Sequence, residues 1–189
     1  MLSKFAALIA LLVIGLGCVV TGPTSLDWQR NQEAKHLSRY SEVLELSVST
    51  DKTTYKPTDR LKLQVLLTNT SNGTVYVYAI LSWGYSASLT LHISDSSGKG
   101  VQMKRFDDSI TPPPPPDDKN AFVRLYPQHS LGTYYNSSID ELNLSKPGEY
   151  TLLVEYHSPI SATNVQLSPF WGRENGVIGS KPIHIKVTD

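Results

Sequence analysis

Alternation of apolar and polar residues recurs along the chain from Glu42 onward, and it constrains the fold more than any other feature. In residues 60–69, for example, Leu or Val takes every second position and polar residues fill most of the positions between. A period of two sends successive side chains to opposite faces of a β-strand. Similar segments occur at 44–49, 74–81, 88–94, 101–106, 121–126, 133–139, 149–157 and 182–187. The pattern predicts an all-β domain over 42–189, an antiparallel β-sandwich of about eight or nine strands.

The N-terminal segment has a different pattern. Lys4 is the only charged residue among the first 26, and a run of about 16 residues, mostly apolar, follows it. A membrane-spanning helix needs about 20 apolar residues, so the run better matches the hydrophobic part of a signal peptide. Cys18, the only cysteine in the chain, lies at the end of this run.

Residues Gly15-Leu16-Gly17-Cys18 resemble the lipobox of bacterial lipoproteins. Gly17 meets the family's need for a small residue before the cysteine, whereas Gly15 stands where a Leu-like residue is usual. The resemblance implies a signal peptide at 1–17, then a lipid-modified (palmitate-bearing) Cys18 that starts a flexible tether over 18–41. It also implies a location in the bacterial cell envelope, on the outer membrane in a Gram-negative host. The alternative is an ordinary secretory signal with a chance cysteine.

Charge and motif content narrow the function. The 17 basic residues equal the 17 acidic ones, which argues against a nucleic-acid partner. A Gly-x-Ser-x-Gly motif is absent, and the five histidines show no metal-binding spacing. We therefore expect no enzyme activity, no cofactor and no metal site. Solvated strand-face histidines are the preferred interpretation of His92, His157 and His184, and a surface metal site is the alternative.

Two stretches resemble parts of known sandwich domains. Pro147-Gly148-Glu149-Tyr150 resembles the tyrosine corner of immunoglobulin-like (Ig-like) sandwiches, which implies a buried Tyr150 whose hydroxyl bonds to backbone in the preceding turn. Residues 50–71 resemble the first strands of bacterial Ig-like envelope domains at Tyr55, Pro57, Asp59, Asn69 and Ser71. The order of these features is also similar to the BsuPI-type intracellular proteinase inhibitor domain.

Two loops are too long for simple hairpins. The first, 107–120, contains the five consecutive prolines Pro112, Pro113, Pro114, Pro115 and Pro116, which favour a stiff polyproline II rod. That rod is either a recognition surface or a rigid spacer. The second, 158–180, contains Phe170, Trp171 and Arg173. An exposed Phe-Trp pair would be a binding hot spot, whereas the alternative is that Trp171 caps the core.

These observations together predict a non-catalytic lipoprotein of the cell envelope, held at the membrane by a lipid on Cys18. Its Ig-like domain is expected to bind a protein or glycan partner through its end loops, because a rigid scaffold positions such loops for function. The alternative is a BsuPI-like proteinase inhibitor, which would need a rigid, exposed loop that enters a protease cleft.

Overall fold

The structure, a computed structural model, describes residues 43–84, 87–104, 115 and 121–189. Cys18 and the tether lie outside the described residues, and so do Pro112, Pro113, Pro114 and Pro116. Pro115 is described and is exposed. The predictions for the lipid anchor and for the proline rod therefore stay predictions.

Ten β-strands make up about half of the described residues. They are β1 (Leu44–Thr50), β2 (Thr54–Tyr55), β3 (Arg60–Asn69), β4 (Val75–Tyr78), β5 (Leu89–Asp95), β6 (Phe122–Leu125), β7 (Ser130–Ser138), β8 (Gly148–His157), β9 (Val177–Gly179) and β10 (Ile183–Val187). Two single-turn 3₁₀ helices lie between β8 and β9, at Ala162–Asn164 and Arg173–Asn175.

The strands form three sheets. A three-stranded antiparallel sheet has the order β1-β3-β7, and a larger sheet has the order β2-β10-β8-β5 with β9 paired to β8. A two-stranded sheet joins β4 to β6. All pairs are antiparallel except β2 with β10.

The core lies between the inward faces of the two main sheets, as period-two alternation predicts. Strand β3 contributes four fully buried side chains and β8 contributes four that are buried: Leu61, Leu63, Val65 and Leu67, then Tyr150, Leu152, Val154 and Tyr156. They belong to one continuous apolar cluster. The predicted all-β sandwich is confirmed.

Local pairing departs from the sequence prediction in three places. Residues 101–104 are not a strand: Val101 N–H donates to the Ile93 carbonyl (2.8 Å) and Lys104 N–H to the Glu141 carbonyl (3.0 Å), so the segment crosses between two elements. Strands β2 and β9 were not predicted, because segments of two or three residues are too short to show a period.

The two ends of the sandwich carry different segments. At the Asn69 end, where the described chain begins, Leu44 pairs with Asn69 and the chain leaves β8 into residues 158–176. At the opposite, Asp95 end, Asp95 pairs with Tyr150 and Val187 pairs with Gly148. The 158–176 segment therefore lies at the same end of the domain as the attachment point of the predicted tether.

Candidate functional site

Residues 158–180 fold back against the sandwich instead of projecting from it. Tyr76 N–H donates to the Pro169 carbonyl (2.8 Å) and Trp171 N–H donates to the Tyr76 carbonyl (2.9 Å), so the segment lies along β4. Phe170 is 8% exposed and Trp171 is 7% exposed. The expectation of an exposed Phe-Trp pair is wrong, because both rings are removed from water by packing. Trp171 caps the core, which was the alternative interpretation.

The two adjacent aromatic side chains enter different apolar clusters. Trp171 belongs to the main core, whereas Phe170 belongs to a second, smaller cluster beneath the segment. There its ring meets Phe122 edge-on, with centroids 5.2 Å apart. Ile160 and Val165 of the same segment are also buried in this cluster. The segment therefore contributes three side chains to a small apolar core. A loop that served only to contact a partner would not need such a core.

Polar contacts close the segment on itself. The Glu174 carboxylate accepts hydrogen bonds from the Ser161 hydroxyl and from Ala162 N–H (3.1 Å). These bonds, that from Ser161 first, lower the pKa of Glu174 below its usual value. The exposed Arg173 donates from its guanidinium to the Pro159 carbonyl. Arg173, predicted as a binding residue, is therefore exposed but also tied to its own loop.

An aromatic and basic cluster lies beside the segment, and we call its residues Tyr76, Arg124, Tyr126 and His129 the Arg124 patch. Tyr76 is half-buried and the other three are exposed. Tyr76 and Arg124 are paired residues on β4 and β6. The Arg124 guanidinium carbon lies 5.0 Å from the Tyr126 ring centroid and 5.9 Å from that of Tyr76. The Tyr126 and His129 rings meet edge-on at 5.5 Å. Cation–π contacts hold the guanidinium between two rings at the surface.

The composition of the Arg124 patch is that of an interface centre. Tyr126 is 47% exposed, although large apolar side chains are usually more buried. Tyr and Arg are enriched among residues that dominate binding energies. The sequence analysis missed this cluster. The stretch from Arg124 to His129 held a signal, an arginine, a tyrosine and a histidine within six residues. Tyr76 joins them only through strand pairing.

The Asp95 end carries two shallow pockets of about 570 and 590 Å³, which share Asp95 and Tyr150 in their linings. Two of their carboxylates, those of Asp95 and Asp140, are already engaged. Asp95 accepts bonds from the Ser97 hydroxyl (2.6 Å) and from the Ser97 and Lys99 N–H groups, which lower its pKa. Asp140 pairs with Lys104 at 2.5 Å, and this contact is the main cause of its lowered pKa. These groups stabilise turns, and neither is arranged as an acid–base pair.

The three strand-face histidines are not brought together. His92 Nε2 lies 3.1 Å from the Glu155 carboxylate, and His184 Nδ1 lies 3.1 Å from the Thr151 hydroxyl. His157 is partly buried, and burial lowers its pKa. Across residues 43–84, 87–104, 115 and 121–189, no group of three or more His, Cys, Asp or Glu side chains could hold a metal ion. Those same residues include no helix long and apolar enough to span a membrane.

Comparisons with known proteins show only distant similarity. No family model matches the sequence, and no curated protein matches it. Solved structures align over about three quarters of the chain. A β-glucosidase from Erythrobacter marinus is 13% identical with a TM-score of 0.38, over 77% of this chain and 15% of that one. The chain thus spans a small part of that enzyme.

Two smaller proteins align to a similar degree. The CARDB domain of the PF1109 protein from Pyrococcus furiosus, solved in complex with di-metal ions, is 10% identical with a TM-score of 0.36, over 77% of this chain and 87% of that one. The sporulation control protein Spo0M from Bacillus subtilis is 10% identical with a TM-score of 0.39, over 78% of this chain and 50% of that one. Similarities at this level assign the chain neither a family nor an activity.

Proposed function

We propose that this chain is a non-catalytic lipoprotein of the bacterial cell envelope whose sandwich domain binds a protein partner through the Arg124 patch. The observation that carries the proposal is the arginine held between Tyr76 and Tyr126 at the surface. Two aromatic rings fix the guanidinium, so little side-chain entropy is lost when a partner binds it. The backbone under the patch is fixed as well, because β4 is bonded both to β6 and to the 158–171 segment.

The end loops remain the binding region in this proposal, but the residues change. Phe170 and Trp171 act from beneath as packing residues, and the exposed Tyr126 and Arg124 make the contact. Arg173 and its loop border the region. The proposed partner is a protein because Tyr and Arg are enriched at the centres of protein–protein interfaces.

The membrane anchor in the proposal is Cys18. The predicted tether, residues 18–41, would as a flexible chain of about 24 residues have a mean reach of about 25 Å. It joins the domain at Val43, at the Asn69 end. The Arg124 patch thus lies near the tether, and the partner is expected to sit at or close to the membrane surface.

Affinity capture from envelope extracts tests the proposal with the full-length protein as bait. Wild type should retain a specific protein, and Arg124→Ala and Tyr126→Ala should each weaken its capture at least about tenfold, which equals about 1.4 kcal/mol. Tyr134→Ala, which removes an exposed tyrosine from another face, is the matched control and should capture normally. Capture that is equal in all four proteins would contradict the proposal, as would failure of wild type to retain any protein.

The alternative function, a BsuPI-like proteinase inhibitor, depends on a loop that can enter a protease cleft in extended form. Residues 158–172 do not offer one, because Ile160, Val165 and Phe170 are buried. The proline-rich loop is the remaining candidate, and the exposed Pro115 fits that role. Inhibition of a serine protease by wild type, lost on replacing residues 112–116 with Gly and Ser, would favour this function.

A further inference from the structure

We infer that the outer face of the three-stranded sheet binds a neutral oligosaccharide, with the ring of Tyr134 as its stacking platform. This face uses none of the residues of the Arg124 patch. It is a second binding surface, so the inference does not depend on the protein partner proposed above.

Tyr134 is displayed to solvent to an unusual degree. It is 71% exposed, whereas its neighbour Tyr135 points inward and packs on Trp83 with centroids 4.8 Å apart. The alternation on β7, an edge strand of the three-stranded sheet, therefore presents one aromatic ring outward from the sheet. The electron-rich face of an aromatic ring attracts groups with partial positive charge, and the C–H groups on one face of a pyranose ring are such groups.

A glycine and a leucine lie beside Tyr134 on this face. Gly132 lies two positions before it on β7 and pairs with Leu66 on β3. A Cβ atom at position 132 would lie 2.6 Å from Leu66 Cδ2, so the leucine side chain extends over the glycine. On the other side, Leu66 pairs with the small Ser47 of β1. Leu66 and Tyr134 are thus diagonal neighbours on the outer face of the β3–β7 pair, and we call them the apolar strip, which offers a flat sugar ring two apolar side chains.

Prearranged hydrogen-bonding groups border this strip. Gln64 pairs with Tyr134 in register and donates to its hydroxyl at 3.3 Å, which leaves the hydroxyl proton and the Gln64 amide oxygen for a ligand. Two positions after Tyr134, Asn136 accepts from Arg60 Nε through its side chain (2.8 Å) and from Arg60 Nη2 through its carbonyl (3.1 Å). Arginine has five N–H donors, so three remain. Donors and acceptors on both sides of an aromatic ring match the vicinal hydroxyls of a sugar.

The same face is a poor match for a protein partner. Among the described residues, Leu66 and Tyr134 are the only large apolar side chains on this face, and small or polar residues occupy the positions around them. A stable protein interface buries about 800 Å² per partner around an apolar centre, which two side chains do not supply. Charges of both signs, Glu45 with Arg60 and Lys62, lie on this face, which favours a neutral ligand over a polyanion.

Titration of the purified full-length protein with defined sugars tests the inference. The neutral probes are cellotetraose, maltotetraose and tetra-N-acetylchitotetraose, and a sulfated tetrasaccharide is the charged comparison. Calorimetry and NMR chemical-shift changes measure the binding of each probe. At least one neutral probe should bind. Tyr134→Ala should weaken that binding at least tenfold, and so should Tyr134→Leu, which keeps apolar bulk but has no ring face. Arg60→Ala should weaken it less, and Arg124→Ala should leave it unchanged.

Several results would overturn the inference. They are no binding of any neutral probe, binding that survives both Tyr134 variants, and preference for the sulfated probe with strong salt dependence. A concentration-dependent dimer that Tyr134→Ala abolishes would also overturn it, because the face would then bind a second copy of the chain. Loss of sugar binding in Tyr134→Ala with normal protein capture, and the reverse in Arg124→Ala, would separate this site from the proposed protein site.

Discussion

The Tyr150 hydroxyl donates a hydrogen bond of 2.8 Å to the carbonyl oxygen of Lys146. The tyrosine is 7% exposed, and the bond spans the turn that leads into β8. The predicted tyrosine corner is confirmed, and it is a device that Ig-like sandwiches use to fix the entry of a strand. It also forms part of the wall between the two pockets at the Asp95 end.

Tyr150→Phe should lower the free energy of unfolding by about 1 kcal/mol, the usual net value of one hydrogen bond. The ring stays packed, so only the bond to Lys146 is lost. Urea unfolding measures the change. Tyr134→Phe is the control, because its hydroxyl lies on an exposed face, and it should match wild type within about 0.5 kcal/mol. Equal stabilities for Tyr150→Phe and wild type would contradict the structural role of the corner.

Trp171→Ala should lower the free energy of unfolding by about 3–5 kcal/mol, the range for removing a large buried aromatic ring. Trp171→Phe should cost much less. It keeps a ring in the core, and the buried Trp171 Nε1 has no hydrogen-bond partner among the described residues, so no bond is lost. Thermal unfolding followed by circular dichroism gives the order of the three proteins. An unchanged melting temperature in Trp171→Ala would show that the ring does not cap the core.

Gly172→Ala should detach part of the 158–176 segment. A Cβ atom at this position would lie 2.4 Å from Ala162 N and 2.4 Å from a Glu174 carboxylate oxygen. The backbone nitrogen cannot move without breaking its bond to Glu174, so we expect a loss of about 1–3 kcal/mol. Gly73→Ala is the control, since a Cβ there meets nothing within 4 Å. Faster hydrogen exchange at residues 160–176 in Gly172→Ala alone would report the effect, and equal exchange in both variants would refute it.

Stability should fall as the pH is lowered below about 6.5 because of His157. Burial lowers the pKa of its imidazole, Glu155 opposes this shift, and Arg173 adds to it. The unfolded chain therefore binds a proton more readily than the folded one, so protonation favours unfolding. The free energy of unfolding should fall less between pH 7.5 and pH 5.5 in His157→Gln than in wild type. His184→Gln, which removes an exposed histidine, should keep the wild-type loss, and an unchanged loss in His157→Gln would reject this assignment.

Cys18→Ala should release the protein into the soluble fraction or leave it with its N-terminal segment uncleaved. The lone cysteine directly follows the apolar run, and it is the acylated residue in the lipobox that this stretch resembles. Membrane fractionation and the mass of the mature protein are the measurements. A Cys18→Ala protein that is processed and anchored like wild type would refute the lipoprotein assignment. Cys18→Ser, of nearly the same size as wild type, also lacks the thiol and should behave like Cys18→Ala.

The fold class, the inward faces of the long strands and the corner at Tyr150 can be predicted from the amino-acid sequence alone. In β3, mostly polar side chains alternate with apolar ones: Leu61, Leu63, Val65 and Leu67. The hydrophobic effect favours burial of that apolar face whichever strands lie next to β3. The Tyr150 bond is equally local, because donor and acceptor lie four residues apart. Features that depend on a short stretch of chain can be predicted from that stretch.

The exposure of the aromatic side chains depends on contacts that form only in the folded domain. Trp171 and Tyr134 each stand beside a second aromatic residue in the sequence, yet Trp171 is 7% exposed and Tyr134 is 71% exposed. The difference arises because β4 binds the 158–171 segment and draws Trp171 into the core, whereas the alternation on β7 turns Tyr134 away from it. The Arg124 patch likewise requires β4 to pair with β6. Contacts between segments distant in sequence carry no local signal, since they depend on the free energy of the whole packed arrangement.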